Sequence, residues 1–191
     1  QTGYIVQTSS LEWKNPAAQS VRLAPRGSAQ VHPDGLSEKE KGILLHELMA
    51  QVDRASDWPE VKHRFQSQWT LSDRDREDVL SWAESVLEHE ASRRFFEDFD
   101  HVESEAEWVD EKGVIRPDRV VFLKGTWHII DYKTGSDDAH QTTKNMNQVR
   151  RYMRALSQME AAPVKGWLLH LNPWRLQEVV ANDTPLIFEA D

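Results

Sequence analysis

Residues 113–135, GVIRPDRVVFLKGTWHIIDYKTG, hold two runs of β-branched and aromatic residues separated by Lys124-Gly125. Such runs favour extended backbone, and a short linker ending in glycine suits a hairpin turn. Over this stretch the chain is committed to two adjacent strands. Strand side chains alternate, so Asp131 and Lys133 share one face while Tyr132 takes the other. Asp118, in the preceding run, can then converge with Asp131 on one cation. Taken alone, the acid and the base two residues apart also fit an ordinary ion pair.

The flanking segments set the fold class. "HVESEAEWV" reads as a strand joined through "DEKG" to "GVIRPDRVVFL", with "TWHIIDYKT" as the third of the series. Upstream, Ser37 and Glu40 form a capping box for a helix with Ile43, Leu44, Leu48 and Val52 at helical spacing. Gly42 within it costs roughly 1 kcal/mol relative to Ala, which points to close approach by another segment. A second helix is expected over about 59–69, with Pro59 near its start. A third is capped by Ser72 and buries Val79, Trp82, Val86 and Leu87. After the strands, "QTTKNMNQVRRYMRALSQM" returns to helical spacing, and "VKGWLLHL" and "RLQEVVA" close the chain as strands around "NPW". The order predicts an α/β fold with a central mixed sheet flanked by helices, not a doubly wound parallel sheet. Residues 1–36, rich in Pro, Gly, Ser and Gln, are expected to be an extended segment or linker, leaving 37–191 as the folded domain.

Composition excludes several classes. No apolar run approaches the ~20 residues that span a bilayer, so no membrane role is expected. The absence of cysteine removes disulfides, iron–sulfur clusters and thiolate zinc sites, and agrees with a cytoplasmic home. His46-Glu47 lacks the second His of a zinc-protease helix. The net charge of −9 argues against coating nucleic acid by bulk electrostatics, but a site built from carboxylates must carry negative charge. Lys144, Arg150, Arg151 and Arg154 fall in one predicted helix, where a solvated face and a phosphate-contacting face are both open readings. The eight Trp residues read as packing rather than base-stacking platforms. The first residues, "QTGYIVQTSS", have neither an initiator Met nor the layout of a signal peptide, as expected of a piece of a longer polypeptide.

Asp118 and Asp131, with the backbone carbonyl of Tyr132, form a ligand set suited to a hard divalent cation, which retains several waters. Such an ion lowers the pKa of a bound water and stabilises charge developing on a phosphate. Lys133 beside that water can orient it or meet the phosphate as a point charge.

The run "RPDRVVFLKGTWHIIDYKTG" resembles the core of the PD-(D/E)XK nuclease superfamily, in particular its RecB-like branch. The resemblance spans residues from about 37 to about 180 and implies a restriction-endonuclease-like core. It implies that His46 in "GILLHELM" is a metal ligand and that an acid of the first core strand joins the site. Glu105 is favoured there over Glu103 and Glu107, which share its strand face. Gln148 and Tyr152 in "NQVRRYM" match a Gln-x-x-x-Tyr motif beside the active site and DNA, and Arg151 between them is placed on the same DNA side. Ile115 departs from the pattern, since many members carry Gly there. The resemblance implies a Mg²⁺- or Mn²⁺-dependent deoxyribonuclease, an exonuclease acting on single-stranded DNA ends. It further implies a helicase motor in the same or a partner chain and a role in DNA repair and recombination. Two alternatives stand beside it. One is an inactive nuclease-like DNA-binding or scaffolding module, which the intact Asp, Asp and Lys disfavour. The other is a restriction-type endonuclease, for which no base-reading segment is evident.

Overall fold

A computed structural model describes residues 35–68, 71–135 and 139–181. Apart from Gly35 and Leu36, the linker expected over 1–36 lies outside them.

Helix α1 spans Glu38–Met49 and starts with the expected capping box: the Ser37 hydroxyl accepts the Glu40 N–H, and the Glu40 carboxylate accepts the Ser37 N–H at 2.8 Å. Leu44, Leu45, Leu48 and Met49 are buried, with Val52 just beyond the helix. Ile43, expected on the same stripe, is 51% exposed. At 3.6 residues per turn it lies on the side of the helix opposite the fully buried Leu45. Gly42 meets its expectation: a Cβ there would lie 2.5 Å from Thr134 Oγ1, so α1 comes closer to this segment than any side chain would allow.

Helix α2, Trp58–Gln68, and helix α3, Asp73–Glu88, fall where periodicity placed them, and Ser72 caps α3. Helix α4, Glu90–Glu97, was not foreseen. It follows α3 directly, with His89 ending one helix and capping the next, and it buries Phe95 and Phe96.

Strands β1 (His101–Ser104), β4 (Arg119–Leu123), β5 (Thr126–Lys133), β6 (Val164–Leu171) and β7 (Trp174–Val179) form one sheet in the order β1-β4-β5-β6-β7. Only β5 and β6 are parallel, and helix α5, Ala139–Met159, makes the crossover between them. The strands expected over 101–109 and 113–123 are each broken in two. β1 and β4 join the main sheet, while β2 (Trp108–Asp110) and β3 (Gly113–Ile115) pair as a separate ribbon. The breaks have local causes: Glu105 adopts a left-handed φ of 53°, and Pro117 has no N–H to give a ladder.

The β4–β5 turn is the one the sequence asks for. Leu123 pairs with Thr126, and Lys124 and Gly125 both take positive φ, 51° and 77°, as a turn matched to sheet twist requires. The sheet divides two apolar layers. Ile130 and Tyr132 of β5 pack with α1–α4, while Ile129 packs with Val149, Tyr152 and Met153 of α5. The result is the predicted α/β fold with a mixed central sheet flanked by helices. Among the described residues, no helix is long and apolar enough to cross a membrane.

Arg119 joins the helical layer to the sheet. Its side chain is fully buried and donates to the carbonyls of Val52 (2.8 Å), Asp53 (2.6 Å) and Phe95 (3.1 Å), with the guanidinium 3.9 Å from the Phe96 ring centroid. Arg119→Met would leave three carbonyls unpaired, each costing about 1–3 kcal/mol. We expect denaturant unfolding to show a loss of about 3 kcal/mol or more, partly restored in Arg119→Lys. An unchanged unfolding midpoint in Arg119→Met would contradict this reading.

Candidate active site

The end of the β4–β5 hairpin remote from its turn gathers the acids. Arg119 pairs with Ile130, so continuing the register sets Asp118 opposite Asp131. Asp118 occupies the bend just before β4, one residue outside the strand in which it was expected. Three contacts hold it. Oδ2 accepts the Tyr132 N–H at 2.7 Å, Oδ1 lies 3.0 Å from His46 Nδ1, and its carbonyl accepts the Glu105 N–H at 3.0 Å. His46 arrives from α1, one turn after the close approach at Gly42. The ring of Tyr132 meets His46 edge-on at 5.8 Å.

Glu103, Glu105 and Glu107 do not share a strand face, because the chain leaves the strand at Glu105. Glu103 pairs with His101 at 3.1 Å, and Glu107 pairs with Arg116. Glu105 alone turns to the site. Ligand atoms of His46, Glu105 and Asp118 lie within 4.8 Å of one another, the one group among the described residues able to hold a metal ion. Asp131 is not part of it. Asp131 is 1% exposed, and its carboxylate is ion-paired with Lys133, its neighbour on the same strand face. The ordinary ion pair and a group of three metal-ligand donors therefore exist side by side. Asp118 and Asp131 are neighbours across the hairpin, but His46 and Glu105 are what gather around Asp118.

The electrostatics are those of a site short of positive charge. Burial, and then the charge of Asp118, push the Asp131 carboxyl well above the usual carboxylate range, with Lys133 opposing. Burial and Asp118 likewise raise Glu105. Burial works against a charged His46, but the hydrogen bond to Asp118 and the charges of Asp118 and Asp131 outweigh it, and its pKa rises. Carboxylate oxygens with one imidazole nitrogen are donors that suit Mg²⁺ or Mn²⁺, and these residues fit such an ion.

The α5 residues sit on the other side of Lys133. Lys133 Nζ donates to Gln148 Oε1 at 3.4 Å, Gln148 Nε2 donates to Tyr152 Oη at 2.6 Å, and Tyr152 donates to the Arg116 carbonyl at 3.1 Å. Arg151, placed by the sequence on the DNA side, has its fork engaged elsewhere. Nε and Nη2 each bond the Asp110 carboxylate at 2.5 Å, clamping the β2–β3 ribbon to α5 and holding Asp110 down at about 2. Arg116 was not singled out from the sequence. Its Nε lies 4.0 Å from Glu105 Oε2, and its position two residues before Asp118 was the available signal.

A profile of the PD-(D/E)XK nuclease superfamily matches residues 17–186. The chain belongs to that superfamily. Members of the PD-(D/E)XK superfamily are generally metal-dependent nucleases, and the match reaches back into the segment expected as a linker. No curated protein matches the sequence. Among solved structures, that of SSO0001 is similar at 19% identity over 74% of each chain, with a TM-score of 0.31, too distant a likeness to inform the site.

A cation and protons compete for the donors of this PD-(D/E)XK site. Because the pKa values of His46 and Glu105 are raised, both hold protons to higher pH than free side chains do. We expect Mn²⁺ binding to weaken as pH falls from about 8 to about 6 and to release protons on binding. Calorimetry in buffers of different ionisation enthalpy measures both. Affinity independent of pH, without proton release, would contradict the assignment of these ligands.

Proposed function

We propose that this nuclease-superfamily chain is a divalent-metal-dependent deoxyribonuclease of the RecB-like type that degrades DNA from single-stranded ends. The observation that carries the reading is the meeting of the His46, Glu105 and Asp118 donors beside the Asp131–Lys133 pair at one end of the sheet. His46, Glu105 and Asp118 would hold Mg²⁺ or Mn²⁺, with Asp131 and the Tyr132 carbonyl completing the set. An ion held there would supply a water of lowered pKa and neutralise charge on the phosphate. Lys133, kept in place by Asp131, carries the only ammonium of this group. It donates to the attacking water or to a non-bridging phosphate oxygen as charge develops there. Asp118 orients His46 through Nδ1 and takes the Tyr132 N–H, so it joins α1 to the hairpin end at the site. The likeness of the "IIDYKTG" stretch to RecB-like nucleases supports a helicase motor, in the same or a partner chain, that feeds single-stranded ends to the site.

The test is degradation of linear single-stranded DNA with Mg²⁺ or Mn²⁺ by wild type, Asp118→Ala and Lys133→Ala. Loss of about 10²-fold or more is expected in each variant, and complete loss on chelation. Resistance of closed circular DNA is expected of an exonuclease. Lys133→Ala as active as wild type would remove the role given to Lys133, and cutting of closed circles would replace exonuclease with endonuclease.

A further inference from the structure

The Gln148–Tyr152 pair lies where a DNA-lining wall would be expected, yet both side chains point at protein groups. The direction of their hydrogen bonds follows from donor and acceptor chemistry alone. The Arg116 carbonyl can only accept, so Tyr152 Oη must donate to it at 3.1 Å. The same oxygen then accepts from Gln148 at 2.6 Å, which must be the amide nitrogen. That choice turns Gln148 Oε1 toward Lys133 Nζ, 3.4 Å away. The orientation of the amide is therefore imposed by a carbonyl two residues before Asp118. Tyr152 is 4% exposed and packs in the α5 core layer with Val149 and Met153, so its hydroxyl has a rigid base. Burial, ahead of the opposing bond from Gln148, raises its pKa to about 12, which keeps it a proton donor at neutral pH.

We propose that Gln148 and Tyr152 are positioning residues for Lys133 rather than contacts to the nucleic acid. Lys133 is held from two sides: Asp131 on its own strand supplies the charge, and Gln148 supplies a neutral acceptor from the facing helix. Between them they select one rotamer from the many open to a lysine. Because the relay ends on the Arg116 carbonyl, it also ties the ammonium to the backbone segment that delivers Asp118. The spacing of four residues on α5 is what lets both side chains face one way. This inference deepens the nuclease reading and rests on it for its kinetic test only.

Two measurements decide it. The first is steady-state cleavage of linear single-stranded DNA by Gln148→Leu, Tyr152→Phe and the double variant. Loss of a positioning partner lowers kcat by about 10- to 100-fold, with KM for DNA within about twofold of wild type. The double variant should be no worse than the worse single one, because both changes cut the same relay. A raised KM with kcat preserved, or losses that multiply, would overturn the proposal in favour of direct DNA contact. The second measurement needs no activity: reductive methylation of Lys133, read by mass spectrometry on proteins of matched circular dichroism. Labelling of Lys133 should rise several-fold in both single variants relative to wild type, while exposed Lys124 serves as the internal standard. Unchanged labelling of Lys133 would overturn the relay even if cleavage is impaired. A wild-type protein that cuts no DNA would sink the nuclease reading, and the labelling ratio would still decide the relay.

Discussion

One residue beyond Asp118, the guanidinium of Arg119 sits with no exposed surface and donates to the carbonyls of Val52, Asp53 and Phe95. Val52 and Asp53 follow the end of α1, and Phe95 belongs to α4, so one side chain collects the ends of two helices onto β4. The partial negative charge of those carbonyls, with the face of Phe96, stands in for a counter-ion. Desolvation lowers the pKa of Arg119, and the nearby charge of Asp53 opposes that. The consequence for the site is geometric. α1 carries His46 and β4 begins beside Asp118, so the contact that docks the helical layer also sets the distance across which His46 and Asp118 meet at 3.0 Å.

Around that frame the charges are arranged unevenly. The chain is acidic overall, and Asp118, Asp131 and Glu105 crowd together near a single ammonium. Nearby arginines are committed to other acids: Arg151 to Asp110, and Arg116 to Glu107 with Glu105 at longer range. Burial first, and then the neighbouring charge of Asp118, raise the carboxyl pKa values of Asp131 and Glu105, and a divalent ion is what such a donor set accommodates.

Much of this was legible in the sequence, and the failures are instructive. The β4–β5 hairpin was readable because strand alternation, β-branched content and the Lys124-Gly125 turn all agree. β6 was readable to the residue, since "VKGWLLHL" centres on the apolar run Trp167-Leu168-Leu169 of the kind a central strand needs. Glu103, Glu105 and Glu107 misled because alternating acids imitate one strand face. Only the backbone torsion at Glu105 separates them, and glutamate is not a residue that announces a left-handed conformation. α4 was missed because eight residues joined directly to α3 give periodicity too little length to register. The Asp110 partner of Arg151 was out of reach of the sequence for a different reason. It lies 41 residues away, and a charge count on one helix says nothing of what faces that helix.

The β2–β3 ribbon is inserted between Glu105 and Asp118, and the bond from the Glu105 N–H to the Asp118 carbonyl closes its neck. Both carboxylates therefore stand on the near side of a sealed junction. Beyond the junction, Ile115 enters the core and Asp110 is held by Arg151, while the pair Val109 and Val114 faces outward. Val109 and Val114 are therefore the positions of the ribbon whose side chains can change without touching His46, Glu105, Asp118 or the contacts that Asp110, Ile115 and Arg116 make with the rest of the fold.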